Sequence, residues 1–188
     1  ICLNNKKIKA KSLLSWQIPI MTSLEHMESR ILSINKKFLF DELDNFDVLV
    51  IPGFQGINNR GEITTLGRGG SDTSAVALAA AMETECIIYT DVEGVFTTDP
   101  NIVPKAKKIN KISYEEMLEL ASQGAKVLQT RSVELAMRKN TKLSVRSSFK
   151  PKKIGTMITD EKSVLENNTV SGITSVSYTH LTLPTRKL

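Results

Sequence analysis

Short apolar runs alternate along this chain with longer helix-forming runs, and this alternation is the feature that most restricts its fold. Residues 47–52 and 86–89 are continuous apolar runs that predict strands buried on both faces. Between them, the Ala-rich residues 72–83 predict a helix with Ser71 or Asp72 as its N-cap. Such alternation is typical of βαβ units. We therefore predict an α/β fold, an α/β/α sandwich around a mainly parallel sheet.

Further elements follow from local signals. Ser113 and, three positions later, Glu116 form a capping-box pattern that predicts a helix ending near Ala121. Residues 130–139 predict another helix, with Asn140 as its terminator. Residues 142–147 alternate with period two and predict a strand, residues 61–66 a short extended stretch, and residues 155–159 one more strand at a sheet edge.

Composition excludes several classes of protein. The net charge is +5, but the Lys and Arg residues are spread along the chain without interleaved aromatic residues, which argues against a nucleic-acid surface. No run approaches the ~18 apolar residues of a membrane span. The two cysteines lie far apart and no signal peptide is evident, so we expect a reduced, cytoplasmic protein. The charge balance suits a small anionic ligand.

The segment LGRGGSD, residues 66–72, leads directly into the Ala-rich helix. Its backbone N–H groups and the helix N-terminus together predict an anion site. Arg68 can hold a carboxylate through two hydrogen bonds, and Asp72 can accept from an ammonium group, so the pair suits an amino acid. The alternative is a tight turn in which Arg68 is solvated and Asp72 only caps the helix.

A second polar segment, residues 89–100, follows a predicted strand and places Thr90 and Asp91 at its carboxyl end, where ligands of open α/β sheets bind. Asp91 and Asp99 are candidates to face ribose, phosphate or Mg²⁺; the alternative is a long capped loop. Lys126 lies two residues after Gly124 and can reach a phosphate, although an isolated lysine is usually solvated. The two histidines show no metal-ligand spacing, and neither a P-loop nor a serine-hydrolase elbow occurs.

Four motifs, taken in order and spacing, closely resemble the aspartokinase family: GFQG at residues 53–56, TTLGRGGSDTSA at 64–75, YTDVEGVFTTDP at 89–100 and GAKVLQTRSVE at 124–134. The resemblance covers residues 9–159. It implies the amino-acid-kinase fold and transfer of the ATP γ-phosphoryl group to the side-chain carboxylate of L-aspartate. The product, 4-phospho-L-aspartate, begins the pathway to lysine, threonine and methionine.

The resemblance also implies roles for individual residues. Arg68 is expected to grip the α-carboxylate of aspartate, and Asp72 to meet its ammonium group and help orient catalytic lysines. Lys126 is expected to contact the phosphates, and Mg²⁺ to accompany ATP without ligands that we can assign. The remaining expected contacts are Phe54, Thr65 and Ser71 for aspartate, and Thr90, Asp91, Phe96, Asn101 and Val127 for the nucleotide.

The sequence departs from the family pattern in several places. A Lys-x-Gly-Gly segment, which supplies a second phosphate-binding lysine in the family, is absent, and Phe96 and Asn101 stand where many relatives carry tyrosine and arginine. We therefore expect an incomplete domain that is inactive alone. Residues 1–150 are expected to be the C-terminal part of the catalytic domain, 151–176 a linker toward a missing ACT regulatory domain, and 177–188 a non-native or disordered tail.

Two alternatives to an aspartate kinase remain at this stage. One is a non-catalytic regulatory subunit that keeps the aspartate pocket without transferring phosphate. The other is an enzyme of the same fold that acts on another small acid. The resemblance further implies a parent protein that is a homo-oligomer through its ACT domains, with no nucleic-acid or membrane partner.

Overall fold

A computed structural model describes residues 1–125, 127–160 and 172–173 of the chain. Lys126 and the tail at 177–188 lie outside the described residues, as does most of the expected linker beyond residue 160. Five helices and ten strands occur in the described part, in the following order: α1 Cys2–Asn5, β1 Ala10–Ser12, β2 Ile20–Thr22, β3 Ile31–Ile34, α2 Lys36–Leu43, β4 Val48–Val50, β5 Gln55–Ile57, β6 Ile63–Thr65, α3 Gly70–Ala81, β7 Cys86–Thr90, β8 Lys111–Ser113, α4 Tyr114–Ser122, α5 Thr130–Lys139, β9 Leu143–Ser147 and β10 Thr156–Thr159.

The strands form three sheets among the described residues. Two have four strands, in the orders β3-β2-β5-β6 and β7-β9-β10-β8, and the third pairs β1 with β4. Four strand pairings are parallel, namely β1–β4, β2–β5, β7–β9 and β8–β10. The pairings β2–β3, β5–β6 and β9–β10 are antiparallel. The predicted α/β class is confirmed, with sheets of mixed direction.

Helix α3 lies between two hydrophobic cores. On one side, Val76 and Ala79 join the larger core, which is built with α4, α5 and the sheet containing β7. On the other, Leu78 and Met82 pack against the smaller core around Ile18 and Ile20. A fully buried Ile or Leu side chain stabilises the fold by about 1.5–3 kcal/mol. The small Ala side chains of α3 allow both cores to approach it closely.

The predicted helices are confirmed, but one cap is corrected. The capping box of Ser113 and Glu116 is present at the start of α4, and α5 covers the predicted residues and ends at Asn140. Helix α3, however, begins at Gly70 with Gly69 as its N-cap, so the prediction of Ser71 or Asp72 was wrong. Gly69 has φ +71°, a left-handed conformation that glycine adopts readily. The chain therefore enters the helix before Ser71 and Asp72, the residues predicted as caps.

Several predictions about strand environments were wrong, although the strands themselves form. Among the described strands, β4 pairs only with β1, and Val50 is 50% exposed, so β4 is not buried on both faces. Tyr89 of β7 is likewise 51% exposed, although Cys86 at the start of the same strand is buried. β9 is buried nearly throughout rather than alternately. β10 lies between β8 and β9 instead of at an edge. The order of strands in a sheet depends on pairing between distant segments, which a local sequence pattern does not reveal.

Within the described residues, no helix has both the length and the hydropathy needed to cross a bilayer. The stretch expected to be a linker from residue 151 contains β10, which pairs in register with β8 and β9. Further along, the backbone N–H of Ile173 donates to the carbonyl of Thr97 at 2.7 Å, so Ile173 contacts the segment between β7 and β8.

Candidate functional site

The glycine-rich segment forms a loop between the end of β6 and the N-terminus of α3, as predicted. Gly67 and Gly69 both adopt positive φ, at +78° and +71°, and the N–H of Gly70 donates to the carbonyl of Gly67. No described group accepts a hydrogen bond from the N–H of Gly67. The first N–H groups of a helix also lack intrahelical partners. The loop therefore presents unpaired backbone donors together with the positive end of the helix dipole.

The structure brings together, around this loop, the residues expected to contact the phosphoryl acceptor aspartate, which we call the acceptor-side residues: Phe54, Thr65, Arg68, Ser71 and Asp72. The carbonyl of Phe54 accepts from the N–H of Leu66 at 2.9 Å, which ties the turn after β4 to the end of β6. A Cβ atom added to Gly53 would lie 3.2 Å from Cα of Ser71, so this turn packs directly on the first turn of α3. Arg68 and Ser71 are exposed, and Thr65 and Asp72 are half-buried.

Phe54 occupies an unusual backbone position. Its φ is +73°, which L-residues with a bulky side chain rarely adopt, and its N–H donates to the hydroxyl of Ser74 at 2.9 Å. The ring lies over the helix start, because a Cβ added to Gly70 would come within 2.9 Å of its Cδ2 atom. Strained backbone of this kind is concentrated at ligand sites. The side chain is 42% exposed and is available to a ligand in the loop.

Asp72 carries the main electrostatic signature of the site. Partial burial raises the pKa of its carboxyl above the usual range, and no ion pair joins it to a cationic side chain in the part of the chain that the structure describes. A desolvated carboxylate without a cation gains from binding one. An ammonium group of a ligand at the loop would supply that charge, as the sequence pattern suggested.

The nucleotide-side residues lie at the carboxyl end of β7, in the other four-stranded sheet. The hydroxyl of Thr90 donates to Oδ1 of Asp91 at 3.0 Å, and the carbonyl of Thr90 accepts from the N–H and hydroxyl of Ser148. Asp91 is exposed at this edge. The predicted position of both residues at a sheet edge is confirmed. No hydrogen bond or ion pair between described residues joins them to the glycine loop.

The other nucleotide candidates are more scattered. Phe96 is half-buried and forms an isolated antiparallel bridge with Lys108, while Asn101 is exposed in a turn where its N–H donates to Asp99. Val127 packs against the larger core. Lys126, which has the most demanding expected role, lies outside the described residues. The structure thus groups the acceptor-side residues but leaves the nucleotide contacts as predictions.

Sequence reasoning missed Arg131, in the first turn of α5. Its guanidinium donates to the carbonyl of Leu66 in the glycine loop and to the carbonyl of Ser29, each at 2.6 Å. A signal was present, because the first helical turn favours acidic residues and a basic one there is unfavourable for the helix dipole. Only the folded structure shows which carbonyls the side chain reaches.

A cavity of about 490 Å³ lies between β3, α3 and α5, and it includes none of the predicted site residues. Its walls are formed partly by the cationic Arg30, Arg131, Arg138 and Lys139. The guanidinium of Arg131 donates to the carbonyls of Leu66 and Ser29, and Arg138 forms an ion pair with Glu134. The candidate site is therefore the glycine loop rather than this cavity.

Mg²⁺ was expected together with a nucleotide. Across residues 1–125, 127–160 and 172–173, the side chains of His, Cys, Asp and Glu do not gather in threes able to hold a metal ion. Mg²⁺ that arrives with phosphates needs only one or two protein carboxylates and keeps several waters. The exposed carboxylate of Asp91 at the sheet edge fits that requirement.

Cys86 gives a prediction that checks the packing beneath the site. Burial, and secondarily the charge of Asp72, raises the pKa of its thiol to about 11. Because the thiolate is the reactive form, we expect iodoacetamide at pH 8 to modify the exposed Cys2 in the folded protein and to spare Cys86. Peptide mapping by mass spectrometry measures this, with urea-unfolded protein as the control in which both are modified. Equal labelling of both cysteines before unfolding would contradict the buried position.

The fold and the loop define the class of protein. Residues 2–147 match the Amino acid kinase family, and the chain belongs to that family. Within it, aspartokinases resemble this chain at about 50% identity, which confirms the resemblance inferred from the four motifs. The aspartokinase of Rickettsia felis is 50% identical over 176 residues, which are 93% of this chain and 44% of that protein. The aspartokinase of Geobacillus stearothermophilus is 51% identical over 172 residues, 91% of this chain and 42% of that protein.

Solved structures give the same relationship. Aspartokinase III of E. coli, in complex with aspartate and ADP in its R-state, is 33% identical with a TM-score of 0.76; the match covers 84% of this chain and 36% of that one. A UMP kinase from Bacillus anthracis is 20% identical with a TM-score of 0.58, over 85% of this chain and 62% of that one, which shows a shared fold alone. The chain thus spans less than half the length of these aspartokinases.

Proposed function

We propose that the full-length gene product carrying these residues transfers the γ-phosphoryl group of ATP to the side-chain carboxylate of L-aspartate, forming 4-phospho-L-aspartate. The observation that carries the proposal is the glycine loop at the N-terminus of α3, where exposed Arg68 and half-buried Asp72 offer opposite charges to one ligand. The relatives are named aspartokinases, and the E. coli structure holds aspartate and ADP.

The chemistry of the loop suits an α-amino acid better than a simple acid. A carboxylate can accept from the Arg68 fork and from the N–H groups at the helix start, while an ammonium group relieves the desolvated carboxylate of Asp72. The side chain of the bound amino acid then carries the acceptor carboxylate. Phe54, Thr65 and Ser71 surround the loop and are proposed to complete the acceptor pocket.

On the nucleotide side, Thr90 and Asp91 are proposed to contact ATP, together with Phe96, Asn101 and Val127. Lys126 is proposed to neutralise the transferring phosphates, because phosphoryl transfer depends mainly on positioning and charge stabilisation. Mg²⁺ would bind with the nucleotide and supply further charge neutralisation there. Asp72 is proposed to orient lysine side chains in addition to its role toward the substrate.

The cellular role follows from the reaction. We propose that it is the first step of the aspartate pathway to lysine, threonine and methionine, in the cytoplasm. We further propose that residues 1–150, together with β10, which completes their sheet, belong to the catalytic domain and that the protein is a homo-oligomer through ACT domains. Size-exclusion chromatography with light scattering tests the last point, and a monomer that is fully active would contradict it.

The decisive experiment is an ATP-dependent acyl-hydroxamate assay on the full-length gene product with L-aspartate, L-glutamate or no acceptor. Hydroxamate that forms only with aspartate supports the proposal, whereas formation with another small acid in place of aspartate assigns a different kinase of this fold. Calorimetry with aspartate and with ATP distinguishes a kinase from a non-catalytic regulatory subunit. Aspartate binding without ATP binding or turnover would instead indicate a regulatory subunit.

A further inference from the structure

The Arg131 side chain joins three parts of the molecule that are distant in the sequence. It extends from α5 and donates to two carbonyls, one from Leu66, 65 residues earlier, and one from Ser29, 102 residues earlier. Ser29 is fully buried, and both its N–H and its hydroxyl donate to the carbonyl of Thr65. The carbonyls of two consecutive residues at the entrance of the glycine loop are thus held by fixed donors.

The same loop is confined on both sides. A Cβ atom added to Gly69 would lie 2.1 Å from Cγ of Gln129, the residue that precedes α5, and one added to Gly67 would lie 2.5 Å from the carbonyl oxygen of Met27. The loop therefore packs between the start of α5 and residues 27–29. Its position depends on how α5 and this segment are held together. Arg131 extends from α5 and donates both to the loop, at Leu66, and to this segment, at Ser29.

The hydrogen bond from Arg131 to the Leu66 carbonyl also sets the direction of the next backbone N–H in the loop. In a planar trans peptide the carbonyl of one residue and the N–H of the next point in opposite directions. The N–H of Gly67 therefore points away from Arg131, and no described group accepts from it. If the Leu66 carbonyl were released, this peptide plane would be free to rotate and the N–H would lose its fixed direction.

We propose that Arg131 is a positioning residue for the acceptor site. It fixes the Leu66–Gly67 peptide, and through it the direction of the backbone N–H donors and the position of Arg68, whose guanidinium binds the carboxylate of the substrate. The inference rests on the proposed function for the identity of that substrate. Arginine suits this role because its planar guanidinium donates to two carbonyls at once in a fixed geometry. The ammonium group of lysine has no such fixed arrangement of donors.

The test uses the Arg131→Lys and Arg131→Met variants of the full-length gene product, with Arg138→Lys as the matched control. Arg138 lies on the same helix, is exposed and pairs only with Glu134 among the described residues. Loss of a charge-assisted hydrogen bond leads us to expect a rise of roughly tenfold to a hundredfold in KM for aspartate. KM for ATP should change by less than about twofold, because no hydrogen bond or ion pair among the described residues joins Thr90 or Asp91 to this loop. Arg131→Lys should lie between Arg131→Met and the wild type.

Hydrogen exchange gives a readout that does not depend on activity. In Arg131→Met and Arg131→Lys, peptides covering residues 64–70 should exchange at least about tenfold faster, while peptides covering β7 keep their wild-type rate. Faster loop exchange without any aspartate kinase activity in the wild type would support the role of Arg131 and reject the proposed function. Unchanged exchange, or an equal rise of both KM values, would overturn the inference, and so would an effect of the same size in Arg138→Lys.

Discussion

The Gly69→Ala variant is expected to lose most of its aspartate-dependent turnover and to unfold at a lower temperature. Two costs combine at this position. Alanine at φ +71° costs about 1–2 kcal/mol, and its Cβ would lie 2.1 Å from Cγ and 2.5 Å from Cβ of Gln129. Overpacking of this kind typically costs about 1–3 kcal/mol. Relief requires the loop to move away from α5, which displaces the donors of the acceptor site.

Gly61 provides a matched control for Gly69→Ala. It has a similar φ of +79°, but nothing lies within 4 Å of an added Cβ. Gly61→Ala should therefore show the backbone cost alone, with kinetic constants close to the wild type. The measurements are thermal unfolding and the hydroxamate assay. If Gly69→Ala and Gly61→Ala behaved alike, close packing of the loop against α5 would be refuted.

Arg68→Ala is expected to weaken aspartate binding far more than ATP binding. Removing one partner of a buried, hydrogen-bonded charge pair costs about 2–5 kcal/mol. Arg68 is exposed in the free chain, so solvent screening places the expected loss near the lower limit. A loss of about 2 kcal/mol corresponds to a rise of roughly thirtyfold in KM for aspartate. Steady-state kinetics with each substrate varied in turn measures it.

Arg60→Ala is the control for Arg68→Ala, because Arg60 is exposed in the turn between β5 and β6 and, among the described residues, forms a hydrogen bond only through its backbone N–H, to Oδ1 of Asn58. It should leave both KM values within about twofold of the wild type. An Arg68→Lys variant keeps the charge without the planar fork and should fall between the wild type and Arg68→Ala. A normal KM for aspartate in Arg68→Ala would remove Arg68 from the substrate site.

Local sequence signals predicted the parts of this fold that depend on local interactions. The capping box of α4 and the whole of α5 are decided within one or two helical turns, so their sequence patterns were sufficient. The N-cap of α3 was not, because the conformation of Gly69 depends on packing against Gln129, sixty residues later. The interior position of β10 likewise depends on pairings with distant strands.

The candidate site shows the same division. The positions of Arg68 and Asp72 beside the start of α3, and of Thr90 and Asp91 at the end of β7, were predictable from the glycine-rich segment and from the apolar run before Thr90. Their contacts with ligands stay predictions. Arg131 was not predictable in its role, since both carbonyls that it binds belong to other segments. Its unfavourable position in the first turn of a helix was the only local trace of that role.

The last described strand also determines where this protein can be divided for study. The buried hydroxyl of Thr156 in β10 accepts from the N–H of Val95 at 2.8 Å and donates to the carbonyl of Ile109, so it joins both ends of the segment that follows Thr90 and Asp91. Gly94 packs against the same hydroxyl. A recombinant version cut at residue 150 would lose this tie, so an expression boundary belongs after Asp160, where β10 has ended.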